Sequence, residues 1–228
     1  EYIESWIHEV KAPLTAVNLM CARKISEGGE EAAFFRKMLR ETESMEYAVE
    51  QALYYARSDE VYQDFLITPC CLNDIVSEAV TRNRRLLTAC HITLQFDLPE
   101  NCRIYCDGIW LVFILSQLIR NSAQYRREER GKITISAKEE EKRVILSVLD
   151  DGAGIPENEL GRIFEKGFTG TNGRNRKKST GMGLYLCRKL CRKLGLSIYA
   201  QSREGEFTQI TLEIPREESL QICKAEES

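Results

Sequence analysis

The stretch KITISAKEEEKRVILSVLDDGAGIP, residues 132–156, changes pattern twice. Residues 132–150 read as a β-hairpin whose second strand ends in acidic residues. Gly152 and Gly154 then occupy alternate positions of a turn, directly after Asp150. A carboxylate at such a strand end can accept a hydrogen bond from an exocyclic amine like that of adenine, and the glycines let backbone approach a ring closely. D-x-G-x-G alone also fits a calcium loop or an ordinary turn.

Downstream, STGMGLYL (179–186) puts Gly181 and Gly183 just before an amphipathic helix. Backbone N–H groups at a helix start, with glycines allowing close approach, are suited to phosphate oxygens, although a plain glycine turn reads the same way. Between the two glycine motifs lies EKGFTGTNGRNRKKS (165–179), basic and rich in Gly and Asn. It is expected to form a lid over a triphosphate, or else a solvated loop. LSIYAQS and FTQITLEIP then close the region as strands.

Upstream, residues 108–126 form an apolar helix containing ILSQLIRNSAQY (114–125). Gln117, Asn121 and Gln124/Tyr125 fall along one side of it. A neutral amide oxygen is a reasonable Mg²⁺ ligand, because Mg²⁺ takes much of its shell from water and phosphate. Asn121 is the candidate. Further back, FLIT (65–68) reads as a strand and Thr68-Pro69 as a cap followed by proline at the first helical position. Residues 70–89 are expected to be helical, and HITLQFD (91–97) and RIYCD (103–107) to be strands joined by a turn at Pro99-Glu100-Asn101. This order of elements predicts an α/β sandwich, with helices on one face of a mixed sheet.

The first 58 residues show helical periodicity only. Ile3, Ile7, Val10, Leu14, Val17 and Cys21 form a heptad seam, Gly28-Gly29 ends it, and Phe34, Met38, Met45, Val49, Ala52 and Ala56 begin another stripe. Such a hairpin cannot bury both stripes alone, and a dimeric four-helix bundle would bury them. Beside the first seam stands His8, whose imidazole is largely neutral at physiological pH and has a lone pair free for nucleophilic attack. Glu9 could hold or deprotonate that ring. Pro13 has no N–H for the carbonyl of Glu9, so a local bend is expected. A lone helical histidine is otherwise an ordinary surface residue.

The 228 residues are 43% hydrophobic and 29% charged, with net charge −3, as expected of an ordinary soluble protein. The near-neutral balance argues against a nucleic-acid partner. No apolar run approaches the eighteen or so residues of a membrane span, and no signal peptide opens the chain. Nine cysteines without C-x-x-C spacing read as reduced fillers of apolar positions.

Five motifs in this order resemble those of bacterial sensor histidine kinases, over roughly residues 1–216. IHEVKAPL is similar to the phosphoacceptor box, SQLIRNSAQY to the asparagine box and LDDGAGIP to the first glycine box. IFEKGF resembles the phenylalanine box and TGMGLYL the second glycine box. Residues 163–195 look most like the bacitracin-sensing type, kinases working beside a peptide-antibiotic ABC transporter.

The resemblance implies a dimerisation and phosphotransfer hairpin at 1–58, a linker at 59–64, a Bergerat-type ATP-binding domain at 65–216 and a charged tail at 217–228. It implies that ATP phosphorylates His8 with Glu9 as base, and that the phosphate passes to an aspartate of a response regulator. Asn121 would hold Mg²⁺, and Asp150 would bind the adenine amine with support from Thr208. Tyr125, Gly152, Gly154, Gly181, Gly183 and Leu184 would shape the pocket, and Lys166 would approach phosphate. The family also implies membrane attachment upstream, so the chain is expected to be the cytoplasmic part of a longer sensor. Gln117, Gln124 and Asp151 depart from the usual boxes. Ala12 replaces a Thr or Asn that orients water for regulator dephosphorylation, so weak phosphatase activity is expected. A nucleotide-binding scaffold without catalysis is the alternative.

Overall fold

The computed structural model describes residues 2–59, 65–127, 129–171 and 180–216, with the side chains of 2–8 and 57–59 excluded. The chain divides into two compact units, Glu1–Gln63 and Asp64–Ser228. Residues 60–64 of the expected linker (59–64), the basic part of the expected lid (172–179) and the tail at 217–228 lie outside the described residues. Among the described residues no helix is long and apolar enough to cross a membrane.

The first unit is an antiparallel helical pair, α1 (Tyr2–Glu27) and α2 (Ala32–Asp59). Gly28 and Gly29 both take positive φ, which lets the chain reverse between them without a Cβ penalty. α1 runs through Pro13 without ending. Cys21, Ala32 and Tyr54 are buried in the pair. Asn18 links the helices by polar contacts, donating to Glu46 at 3.2 Å and accepting from the Thr42 hydroxyl. The second stripe is not wholly hidden: Phe34 is 61% exposed and Met45 56%.

The second unit is an α+β sandwich. Its main sheet has the order β2 (Ile92–Asp97), β4 (Gly131–Glu139), β5 (Arg143–Asp150), β7 (Phe207–Pro215) and β6 (Ser197–Arg203). β2 and β4 are parallel, whereas the other pairs are antiparallel, so the sheet is mixed as expected. Ile133, Ile135, Val144, Leu146, Val148, Ile210, Leu212 and Ile214 alternate along β4, β5 and β7 and are all buried. Each contributes about 1.5–3 kcal/mol by leaving water. The helices α3 (Leu72–Arg82), α4 (Arg84–Ala89), α5 (Gly108–Gln124) and α7 (Gly183–Lys193) contribute most of the other core residues, and a short α6 spans Glu157–Leu160.

Two expectations need correction. The strand near Pro69 is β1 (Thr68–Cys71), and the helix begins only at Leu72, so Pro69 is not a helical N1 residue. β1 pairs antiparallel with β3 (Arg103–Cys106), with Pro69 opposite Tyr105. In this two-stranded sheet both strands are edges, where a proline without N–H is tolerated. HITLQFD and RIYCD are the strands β2 and β3 joined by a turn at Glu100-Asn101, as expected, and they belong to different sheets. The helical stretch 70–89 is also interrupted, at Asn83.

Six of the eight described cysteines are buried, all eight are free thiols, and Cys187 and Cys191 belong to the core face of α7. Burial pushes the Cys102 thiol up to about 11, which keeps it protonated and unreactive.

Candidate functional site

The site is built where β5 ends. Asp150 is in phase with Val144, Leu146 and Val148, so the alternation that buries those residues also turns its carboxylate toward the helices. It stands in register with Ile133 of β4 and Thr208 of β7, and only 7% of it is exposed. The Ser122 hydroxyl donates to Oδ2 at 2.7 Å, and the Gly152 N–H donates to Oδ1 at 3.0 Å. Burial raises the Asp150 pKa, while hydrogen bonds from Ser122, Gly152 and the Thr208 N–H oppose the rise.

α5 supplies the facing wall. Asp107 caps it, its Oδ1 accepting from the N–H groups of Ile109 and Trp110. Leu118, Asn121, Ser122 and Tyr125, at spacing i, i+3, i+4, i+7, line one cavity together with Asp150. Thr208 and Ile210 of β7, Leu184 of α7, and Gly154, Ile155 and Ile163 of the intervening segment complete much of the lining. The cavity is therefore largely apolar, with a buried carboxylate in its wall. That combination suits a flat heteroaromatic ring bearing a hydrogen-bond donor.

Glycines make the loop geometry possible. A Cβ on Gly154 would lie 2.1 Å from the Arg203 carbonyl oxygen, and Gly154 has φ +66°. Gly152 packs against the Tyr125 carbonyl, which itself accepts from the Ala153 N–H at 2.9 Å. Gly181, also at φ +66°, lies against Gly167, whose N–H donates to the Gly181 carbonyl at 3.1 Å. The second glycine motif is thus held to the IFEKGF segment by backbone contact.

Of the expected site residues, Asn121, Tyr125, Asp150, Gly154, Leu184 and Thr208 line this one cavity. Gly152 supports Asp150 from behind. Gly181 and Gly183 stand outside the lining, with Gly183 opening α7, and Lys166 is exposed. Asp151 has a structural duty, its Oδ1 accepting from the Lys132 N–H at 2.8 Å. His8 and Glu9 belong to α1 in the other unit; Glu9 is exposed, and the His8 side chain lies outside the described residues.

Sequence reasoning missed Ser122, Leu118, Ile210 and Glu159. The first two share the helical spacing of Asn121 and Tyr125, and Ile210 follows Thr208 on the same strand face, so periodicity could have found them. Glu159 had no sequence signal. Its carboxylate accepts from the Thr171 hydroxyl at 2.6 Å and the Thr171 N–H at 3.0 Å, tying down the segment after Phe168.

The fold and cavity define a class of nucleotide-binding domain: residues 106–218 match the family described as histidine kinase-, DNA gyrase B- and HSP90-like ATPase. Over 209 residues the chain is 30% identical to the sensor histidine kinase YxdK of Bacillus subtilis, covering 92% of this chain and 62% of that one. It is 32% identical over 213 residues to the sensor protein BceS of the same organism, covering 92% and 61%. Among solved structures, the catalytic domain of histidine kinase ThkA is similar at 28% identity and TM-score 0.58, covering 66% of this chain and 95% of that domain. The chain belongs to the bacterial sensor histidine kinases. It spans about three-fifths of the length of the curated relatives it matches.

Proposed function

We propose that this chain is the kinase portion of a two-component sensor, in which ATP phosphorylates His8 and the phosphoryl group passes to an aspartate of a response regulator. The observation that carries the proposal is the buried Asp150 carboxylate in the wall of an apolar cavity, held by Ser122 and Gly152. A carboxylate so placed accepts from the adenine amine, while Leu118, Ile163 and Ile210 exclude water from the ring. Tyr125, Gly154 and Leu184 complete the ring's surroundings, and Thr208 supports Asp150 from the neighbouring strand. Gly181, Gly183 and Lys166 lie on the phosphate side in this proposal.

Mg²⁺ fits the donor set. Among the described residues no group of three or more His, Cys, Asp or Glu could cage a metal, whereas Asn121, whose side chain carries one amide oxygen, lines the cavity. A cation that draws its other ligands from phosphate and water needs little more. When bound it would neutralise charge on the transferring phosphate, with Asn121 as its protein ligand.

At the other unit, Glu9 orients the His8 ring and takes its proton. A ring nitrogen attacks the γ-phosphorus as the bond to the β-phosphate oxygen breaks, releasing ADP. The proposed division of labour is a phosphotransfer hairpin at 1–58, a linker at 59–64, an ATP-binding domain at 65–216 and a charged tail at 217–228. The hairpin would work as a homodimer, since Phe34 and Met45 are apolar and exposed within one copy. Membrane attachment through another part of the protein, partnership with an ABC transporter and a role in antimicrobial-peptide resistance belong to the same proposal, supported by the resemblance of residues 163–195 to the bacitracin-sensing type.

The test is incubation of the protein and His8→Gln with γ-labelled ATP and Mg²⁺. Label stable to alkali, released by acid and absent from His8→Gln is expected. Label that survives acid, or persists in the variant, overturns the assignment of His8.

A further inference from the structure

Ser122 is one position beyond the proposed Mg²⁺ ligand, yet its contacts point elsewhere. It is 6% exposed, lines the cavity, and its hydroxyl lies 2.7 Å from Asp150 Oδ2. An ionised carboxylate has only lone pairs, so the proton in this contact comes from the serine. With that proton committed, the serine oxygen shows only acceptor capacity to the cavity. Gly152 occupies Oδ1 from the loop side, so the carboxylate is gripped on both oxygens and its rotation about the Cβ–Cγ bond is set.

We infer that Ser122 and Asp150 act together as one reader of the adenine amine, with Ser122 the positioning residue that aims the carboxylate and helps select ATP over GTP. The inference rests on the nucleotide reading above and deepens it. The edge offered by the pair is made of acceptors alone. An amine finds partners there, while the carbonyl that guanine carries at that position meets lone pairs and stays unpaired, which weakens binding. The hydroxyl also favours the charged form of a carboxylate whose burial disfavours it. Removing it makes Asp150 both less well aimed and easier to protonate, and a protonated Asp150 no longer offers two acceptors.

Other charged or titratable groups face this carboxylate. Asp151 follows it in sequence, Glu159 and Tyr125 share the cavity, and Lys132 and Glu206 stand with it at a shallow groove at the strand ends. They are common to wild type and variant, so a difference between the two proteins reports on Ser122.

Titration calorimetry on the full chain with Mg²⁺ and either ATP or GTP, at pH 7.5 and pH 6.0, tests the inference. Ser122→Ala is expected to weaken ATP binding about tenfold at pH 7.5, as for loss of a hydrogen bond to a charged group. It should also lower the ATP/GTP affinity ratio at both pH values. Ser122→Cys, with a weaker donor of similar size, should change binding in the same direction by less, and provides the measurement if the alanine variant fails to fold. ATP affinity within twofold of wild type at both pH values overturns the inference, as does an equal loss for ATP and for GTP, which would mean packing alone. Wild-type protein that binds no ATP overturns the nucleotide reading itself, a result distinct from either of these.

Discussion

Asp150 is the residue on which the proposed nucleotide recognition turns, and its position has a consequence for stability as well. Burial raises its pKa above that of the unfolded chain. The unfolded state therefore ionises first, and the contribution of Asp150 to stability is greatest below the unfolded value and falls as pH rises through the folded one. Asp150→Asn removes that titration. The melting temperature of the variant minus that of wild type should thus become more positive as pH is raised from about 4. Its absolute sign at one pH depends also on the amide NH₂ that must face a donor such as Gly152. The same substitution should lower ATP affinity at least tenfold at neutral pH, by turning an acceptor edge into a mixed one. A melting difference that stays flat with pH, or unchanged ATP affinity, would contradict the structure at this residue.

At the level of elements, α5 shows how one helix serves core and site together. Its faces against the sheet are apolar, while Leu118, Asn121, Ser122 and Tyr125 form the cavity stripe. Periodicity made that helix legible, and the motif at its end pointed to Asn121. Its hydrogen bond from Ser122 was hidden, because Ser122 and Asp150 are 28 residues apart and meet only when β5 packs on α5. The misplaced start of α3 has a similar origin. Thr68-Pro69 has the local chemistry of a helix start, but pairing of β1 with β3 across more than thirty residues overrides local propensity.

The hairpin makes a prediction of its own. Phe34→Glu combined with Met45→Glu places charge on the exposed apolar stripe, and light scattering should then find monomer in place of dimer. Circular dichroism should keep its helical signal, because neither residue is buried within one copy. A dimer unchanged in the variant would move the interface off this stripe.

For the whole molecule, the two units divide the proposed reaction between them. His8, the proposed acceptor, is in Glu1–Gln63, and the cavity proposed for the nucleotide is in Asp64–Ser228. A fragment of residues 64–228 should therefore fold by itself and melt at a higher temperature with ATP present. At a hundredfold excess over Kd, binding adds about 2.7 kcal/mol to stability. It should acquire no phosphate from γ-labelled ATP alone, and should label an added 1–63 fragment at His8. Failure to melt cooperatively would show that the second unit depends on the first; label on the 64–228 fragment itself would place an acceptor there.

The amino-acid sequence alone determined the helical hairpin, the mixed α/β unit and the order of its motifs, because these depend on periodicity, turn residues and spacing along the chain. It also placed Asp150 correctly, since strand alternation carries the phase of Val144, Leu146 and Val148 onto the carboxylate. Only tertiary structure decided the separate β1–β3 sheet, the grip of Ser122 on Asp150, the anchoring of Thr171 by Glu159, and the fit of Gly154 against the Arg203 carbonyl. Each of those joins residues distant in the chain. Such contacts form only when packing brings their partners within a few ångströms, and no local pattern encodes that proximity.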